Sequence, residues 1–304
     1  MQRVLITGGA GFIGSYLAET LVRAGFEVTV VDDLSTGHRG FVPRAARFRK
    51  LDVRTMAFRD FVRQFKPAYV CHLAAQRSAE RSRADASADA SINVVGTANA
   101  LAAASGQGLK KFLFVSTAAL YGSAREIPTP EHAEPKLSSP YAVAKLAGEQ
   151  YVSYYGASGN LPVAVVRLAN VYGPRQDASN EGGVVARFAQ ALVAGRGLTI
   201  EGRGEQTRDF IYVMDVVQGL MAALTDGSGL YNLGTGEEIS IRELAIKMGE
   251  IAGVVPKVTY VAARTDDIPR SALSALRAMR ELRWRPATPL MDGLRQTLKW
   301  YKEL

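Results

Sequence analysis

The chain has little of what marks several protein classes. Its 304 residues include one cysteine, three histidines and two tryptophans. A single cysteine, Cys71, excludes an internal disulfide, and its place in an apolar stretch fits a reducing, cytoplasmic setting. The histidines, His38, His72 and His132, are far apart and lack ligand spacing, so no metal site is expected. His72 ends an apolar run and reads as structural. No apolar run approaches the ~18 residues of a membrane span. Arg3-Val4-Leu5-Ile6-Thr7 already reads as a core strand, so no signal peptide is expected and no membrane partner. The net charge is +8, yet the basic residues form neither a lysine-rich tail nor an aromatic-studded stripe. Nucleic acid is therefore not the expected partner. A few arginines suit a small phosphorylated substrate, and most are solvated surface.

What is present is an ordinary globular composition, 47% apolar and 22% charged, without repeats, low-complexity segments or a long linker. Short apolar runs at 3–7, 27–32, 68–73, 110–116 and 163–168 read as strands covered on both faces. Between them, 12–24, 56–65, 88–104 and 140–155 have helical spacing. Repeated strand–helix–strand units predict an α/β fold with a doubly wound parallel sheet. Beyond residue 169 the pattern loosens at Gly182-Gly183, Gly195–Gly197 and Gly202–Gly204. A smaller mixed α/β lobe is expected there, with helices near 184–194, 240–252 and 290–302. The expected division is 1–168 for the sheet domain, rejoined by about 209–234, and 169–208 with 235–304 for the lobe.

"LITGGAGFIGSYLAETL" carries Gly8, Gly11 and Gly14 between a strand and a helix that opens at Phe12-Ile13. The first glycine permits the tight turn and the second lets backbone approach a pyrophosphate. The third lets helix and strand pack closely, with the helix N-terminus facing the anion. The second strand ends at "VVDDLSTG", where Asp32 or Asp33 can accept hydrogen bonds from an adenosine ribose. A carboxylate there repels a 2′-phosphate and favours NAD over NADP. Asp52-Val53 reads as an adenine contact or as a helix cap.

Near the middle, "STAALYG" ends an apolar strand on Ser116 and Thr117, and "SSPYAVAKLAGEQYV" puts Tyr141 and Lys145 four apart on one helix face. A tyrosine of ordinary pKa near ~10 is a poor base. A neighbouring ammonium and a cationic nicotinamide lower that value, so such a phenol can take a proton from an alcohol as hydride leaves the same carbon. Thr117 can share the proton, while Ser116 reads as a strand-end hydrogen-bonder. Alone, Tyr-x-x-x-Lys is also what a packed tyrosine and a snorkelled lysine look like. The glycine motif and the Ser-Thr strand end raise it above that.

In order and spacing, "TGGAGFIG", "HLAA", "NVVGT", "STAALYG", "YAVAK", "RLANVYGPRQ" and "RGEQTRDFIYVMD" resemble the extended short-chain dehydrogenase/reductase family. Within it the chain is most similar to UDP-glucose 4-epimerases and related nucleotide-sugar epimerases. The resemblance implies a Rossmann domain with a substrate lobe, and Thr117, Tyr141 and Lys145 as the catalytic set. It implies NAD held by Gly8, Gly11, Phe12, Ile13, Gly14, Asp32, Asp33, Asp52, Val53, Leu73, Ala74, Ala75 and Asn93, with Tyr141 and Lys145. It implies a UDP-sugar held by Thr117, Asn170, Arg175, Arg208, Arg264, Asp267 and Ser271. A homodimer is implied as well, through helices 88–104 and 140–155 packed as a four-helix bundle.

Two alanines narrow the chemistry. Relatives that eliminate water from the hexose carry Asp-Glu after the Ser-Thr pair, and decarboxylating relatives often carry a Glu. Ala118-Ala119 can neither give nor take a proton, which leaves oxidation by NAD and return of the hydride, that is, 4-epimerisation. In the resembling epimerases a bulky residue past the R-x-x-D motif restricts the sugar 2-position. The small Ser271 implies room for an N-acetyl group, although Leu273 stands where relatives usually have Asp. A UDP-uronic acid remains an alternative substrate, and reduction of a nucleotide-linked 4-keto sugar by NAD(P)H an alternative reaction.

Overall fold

A computed structural model of the chain describes all residues except 107, 159–160, 180–181 and 264–266. The first half alternates as its apolar runs predict: β1 (Arg3–Thr7), α1 (Phe12–Arg23), β2 (Glu27–Asp32), β3 (Arg47–Lys50), α2 (Met56–Phe65) and β4 (Tyr69–His72). Next come α3 (Ala79–Ala84), α4 (Ala86–Ala90), α5 (Gly96–Ala104), β5 (Lys111–Thr117), α6 (Pro140–Ser158) and β6 (Val163–Leu168). The chain then crosses β7 (Asn170–Tyr172), α7 (Val184–Val193), β8 (Leu198–Glu201), β9 (Thr207–Arg208) and β10 (Phe210–Tyr212). It continues through α8 (Val213–Thr225) and β11 (Gly229–Leu233), and then β12 (Ile239–Ser240), α9 (Ile241–Ala252), β13 (Val258–Val261), α10 (Leu276–Glu281) and α11 (Leu290–Lys302).

Seven strands form one parallel sheet in the order β3-β2-β1-β4-β5-β6-β11. Successive side chains enter opposite cores, as the two-residue strand period requires. Val4, Ile6, Val28, Val30, Leu113 and Val166 face α1 and α8, whereas Leu5, Val31, Phe112, Phe114 and Val165 face α2, α5 and α6. A separate core joins α7, α9 and α11 over β8 and β10. Phe12, Ile13 and Tyr16 of α1 pack against that second core, so the start of α1 lies where the two parts meet.

Three features depart from the periodicity reading. The expected helix over 88–104 is continuous but not uniform: α4 runs to Ala90, a π-helical turn covers Ser91–Val95, and α5 follows. One extra residue in that turn changes which side chains face inward, and Asn93 is buried as a result. The polar edge strand β3, "RFRK", carries no apolar run to reveal it. The helix α8 and strand β11, which returns to pair with β6, are no departure, since they fall within the stretch 209–234 expected to rejoin the sheet. Finally, Leu273, Ala275, Ala278, Leu282 and Trp284 pack into the sheet core, so 273–284 lies with the sheet, although 235–304 is expected in the lobe.

Candidate functional site

The glycine turn is built by close approach. Gly8 sits at φ +71°, and a Cβ there would lie 2.6 Å from the Ala74 nitrogen and 2.8 Å from the Leu73 carbonyl carbon. A Cβ on Gly14 would overlap the Gly8 carbonyl oxygen, which is what lets α1 rest on the turn. Gly11 is the N-cap of α1, with no side-chain cap and no acid in the first turn, so the helix end keeps N–H groups available to an anion. Asp32 and Asp33 separate cleanly. Buried Asp32 accepts from the Ala10 N–H (2.9 Å) and the Leu34 N–H (2.9 Å), against the glycine turn. Burial raises its carboxyl above the usual range, and the two N–H donors oppose that. Asp33 is exposed and caps Ser35. At 52–53, the Asp52 carboxylate is closed by Arg54 (2.9 and 2.5 Å), which holds it below the usual carboxylate range, and the helix cap is Thr55. Val53 is buried against Gly96, where a Cβ would lie 2.6 Å from its Cγ2.

A hydrogen-bonded chain ties this turn to the middle of the sheet. The Ala74 N–H donates to Thr7 Oγ1 (3.3 Å), and Thr7 Oγ1 meets His72 Nδ1 (2.8 Å). His72 Nε2 meets Thr97 Oγ1 (3.1 Å), whose own proton goes to the Asn93 carbonyl (2.7 Å). The network therefore assigns the His72 proton to Nε2, with Nδ1 accepting from Thr7. Burial, aided by Lys145, lowers the imidazole to about 3, so it stays neutral. Asn93 accepts from the Gln76 N–H (3.0 Å) and donates to the Gln76 carbonyl (2.9 Å), extending the strand end from Leu73 through Ala75 to Gln76.

At the end of β5, Lys145 donates to the Val115 carbonyl (2.7 Å) and lies 4.1 Å from the centre of the Phe114 ring. Tyr141, one turn earlier, is close enough to the Thr117 hydroxyl for that group to favour its phenolate. Thr117 Oγ1 accepts from the Ala119 N–H (3.1 Å), so its own proton is free for the phenol or a substrate. Two expectations need correction. Burial pushes the Tyr141 phenol of the unliganded chain up to about 12, above and not below its ordinary value, with Thr117 the largest opposing influence. The lysine instead is lowered to about 8 by burial, against the pull of Glu149 and Asp89. Ser116 is buried but its hydroxyl has no hydrogen-bond partner among the described residues, so it is not the strand-end bonder expected.

In the lobe, Arg208 and Asp267, both expected at the substrate, form an ion pair. Arg208 Nη2 donates to Asp267 Oδ1 (2.5 Å) and Nη1 to the Ile268 carbonyl (2.6 Å). Arg264 lies outside the described residues. Asn170 is exposed, and its N–H binds the Asp209 carbonyl (2.9 Å), which keeps it beside Arg208. Ser271 is half-buried, and its carbonyl accepts from the Asp209 N–H (2.9 Å). Leu273 is fully buried in the sheet core, which explains an apolar side chain at a position where Asp is usual in the resembling enzymes. Arg175 lies against α1. Its guanidinium pairs with Glu19 (2.6 Å), touches Ser15 (3.2 Å) and lies 4.2 Å from the centre of the Tyr16 ring. These contacts join the lobe to α1.

Several site residues were not picked out by motif. Buried Asp209 accepts from Thr235, Gly236 and Leu273 N–H groups and so orders the strap beside Arg208. The buried pair Glu149–Arg167 (2.9 and 2.7 Å) anchors α6 to β6 one turn beyond Lys145, with Arg167 over the Tyr121 ring at 4.7 Å. Arg77, paired with Asp177 at 3.1 Å, and Asp89 both act on the Tyr141 phenol. Glu149 follows Lys145 at helical spacing and was visible in principle; the others are brought in by long-range packing. Among the described residues no cluster of His, Cys, Asp or Glu suits a metal ion, and no helix is long and apolar enough to cross a membrane.

An open helix N-terminus over a glycine turn after β1, with a tyrosine and a lysine on one helix face at the end of β5, two strands away, defines a dinucleotide-dependent enzyme of alcohol and carbonyl chemistry. Residues 4–234 match the model of the NAD dependent epimerase/dehydratase family. Over 309 aligned residues, 99% of each chain, the sequence is 38% identical to a UDP-glucose 4-epimerase of Mycolicibacterium smegmatis. The UDP-glucose 4-epimerase of Thermotoga maritima, solved with UDP-glucose, superposes with a TM-score of 0.96 at 36% identity, covering 99% of both chains. That of Thermus thermophilus, solved with NAD, gives 0.94 at 40% identity, again over 99% of both. Nucleotide-sugar dehydratases and decarboxylases are also among the relatives. The chain therefore belongs to the NAD dependent epimerase/dehydratase family.

Proposed function

We propose that this enzyme interconverts the 4-epimers of a UDP-hexose, using NAD that is reduced and reoxidised within each turnover. The observation that carries the reading is an intact Thr117–Tyr141–Lys145 set followed by Ala118 and Ala119, two methyl side chains where elimination needs proton carriers. The cradle at Gly8, Gly11 and Gly14, with Asp32 beside it, suits a dinucleotide with an unsubstituted ribose. Leu73, Ala74 and Asn93 line the adjoining strand end.

Bound NAD supplies the acceptor, and then the donor, of a hydride. The protein handles the proton. Tyr141 Oη takes it from the sugar 4-hydroxyl as the 4-keto sugar forms, and returns it after the sugar has turned about its link to the diphosphate. Thr117 Oγ1, beside the phenol, shares that proton. Lys145 places its positive charge one helical turn from the phenol and favours the phenolate, supplementing the cationic nicotinamide. Arg208, Arg264 and Asn170 hold the diphosphate, which leaves the hexose loosely held and able to turn. Half-buried Ser271 is small enough to admit an N-acetyl group, which favours UDP-N-acetylglucosamine as a second substrate.

Helix α6 leaves Val143, Tyr151 and Tyr154 exposed, and the neighbouring π turn exposes Val95. This apolar face supports a homodimer, to be checked by sedimentation. The test of function is NMR of the purified enzyme incubated with UDP-glucose, UDP-N-acetylglucosamine or UDP-glucuronic acid, without cofactor and then with NAD. The same equilibrium mixture reached from either epimer supports the proposal. Consumption of NADPH with a 4-keto sugar, and no epimer from any substrate, would replace it with a reductase.

A further inference from the structure

Asp89 is 1% exposed, on the short helix α4, which packs against α6. Its Oδ1 accepts two amide donors, Gln76 Nε2 at 2.6 Å and Asn93 Nδ2 at 3.0 Å. Its Oδ2 is buried and has no hydrogen-bond partner among the described residues. The two amides need only an acceptor, and a neutral side-chain carbonyl would serve both. A buried carboxylate with one open oxygen is a costly way to hold two amides. The negative charge, not the hydrogen bonding, is what requires explanation.

The charge has two neighbours on α6. Burial raises the Asp89 carboxyl above its usual range; the two amides and then the Lys145 ammonium oppose that, and the carboxylate in turn favours the ammonium and opposes ionisation of Tyr141. The other groups around the pair are Arg77, from the loop after β4, which favours the Tyr141 phenolate, and Glu149, which supports the Lys145 ammonium. His72 on β4 is neutral. The remaining charged residues of α3 and of the start of α4, Glu80, Arg81, Arg83 and Asp85, are all exposed to solvent, where water screens them.

We propose that Asp89 is a positioning residue of the Tyr141–Lys145 pair: a buried counter-charge, clamped by Gln76 and Asn93, that keeps Lys145 protonated beside the phenol. Its use in catalysis rests on the functional reading above; the charge coupling itself does not. Asp89 touches neither reacting atoms nor substrate in this role. It acts through the lysine, and it sets the pH range over which ammonium and phenol work together.

The direct test is titration of Lys145 in the unliganded enzyme. The protein is labelled with 15Nζ-lysine, and the resonance is assigned by its loss in Lys145→Met. In Asp89→Asn the midpoint should fall by about 0.5–1 unit, because an opposite charge has been removed. An unchanged or raised midpoint overturns the proposal. Should Asp89→Asn fail to fold, the reciprocal measurement remains: the 13Cγ midpoint of Asp89 should rise in Lys145→Met, and an unchanged value is equally fatal. On active enzyme, loss of the Asp89 charge lowers the ionisation range of both Tyr141 and Lys145. Both limbs of the pH–rate profile should then move toward acid, whereas a purely structural defect lowers the profile without moving it. A wild-type enzyme that epimerises nothing while the Lys145 midpoint still falls in Asp89→Asn would sink the functional reading and leave the counter-charge standing.

Discussion

Lys145 holds an ammonium at 3% exposure, with one backbone carbonyl and a ring face for company. Burial brings it to about 8 from an ordinary value of 10.5. Below pH 8 both folded and unfolded chains carry the proton, and the fold bears the full penalty of the buried charge. From pH 8 to 10.5 the folded chain sheds the proton first, the unfolded chain binds more, and stability rises with pH. Tyr141 works the opposite way above pH 10, because the fold keeps a proton that the unfolded chain has lost. Lys145→Met should therefore raise the stability of the unliganded enzyme at pH 7 by about 2 kcal/mol, once the lost bond to Val115 is set against it. It should also flatten the pH 8–10.5 rise and abolish turnover; urea titrations at several pH values check the first two. Tyr141→Phe should lower kcat by roughly 10²–10⁴-fold with an unchanged thermal midpoint, as removal of a general acid–base group does.

At the scale of elements, α6 is seated on the sheet by the Glu149–Arg167 pair, whose side chains are 8% and 5% exposed. Glu149→Gln leaves the Arg167 guanidinium buried without its counter-charge and should cost about 3 kcal/mol or more of unfolding free energy, read from denaturant midpoints. The same scale shows what could be read from sequence. Strands β1, β2, β4, β5 and β6 were legible because both their faces are buried, which writes continuous apolar runs. The edge strand β3, "RFRK", was not, since its side chains are largely exposed. The π turn was hidden because a one-residue insertion does not disturb a helical apolar pattern long enough to register. Motifs located Gly8, Gly14, Asp32, Thr117, Tyr141 and Lys145 because these depend on local spacing. Asp89, Gln76 and Arg77 gain their roles only when α4, β4 and α6 meet. The glycine motif spoke for the turn, whereas the contacts of Arg175 with Glu19 and Tyr16 join segments far apart in the chain and leave no local pattern.

For the whole molecule, the start of α1 is shared: its N-terminus opens on the glycine turn, while Phe12 and Tyr16 pack into the lobe core. A ligand held at that end stabilises the sheet and the lobe contact together. NAD at about 100 times its Kd should add about 2.7 kcal/mol of stability, seen as one upward shift of a single thermal transition. Two transitions, with only the first displaced, would show that the sheet and the lobe unfold independently.

The return of β11 to the flank of β6 also bears on how the polypeptide is born. Emerging from the ribosome, a nascent chain completes β6 long before Gly229–Leu233 exists, and the hydrogen-bonding edge of Val163–Leu168 waits bare while the lobe segments are synthesised. An unprotected strand edge is a template for other chains. Translation that stalls between residues 169 and 228 should leave a product that clumps or is held by chaperones, whereas release after Leu233 should yield one that can close its sheet.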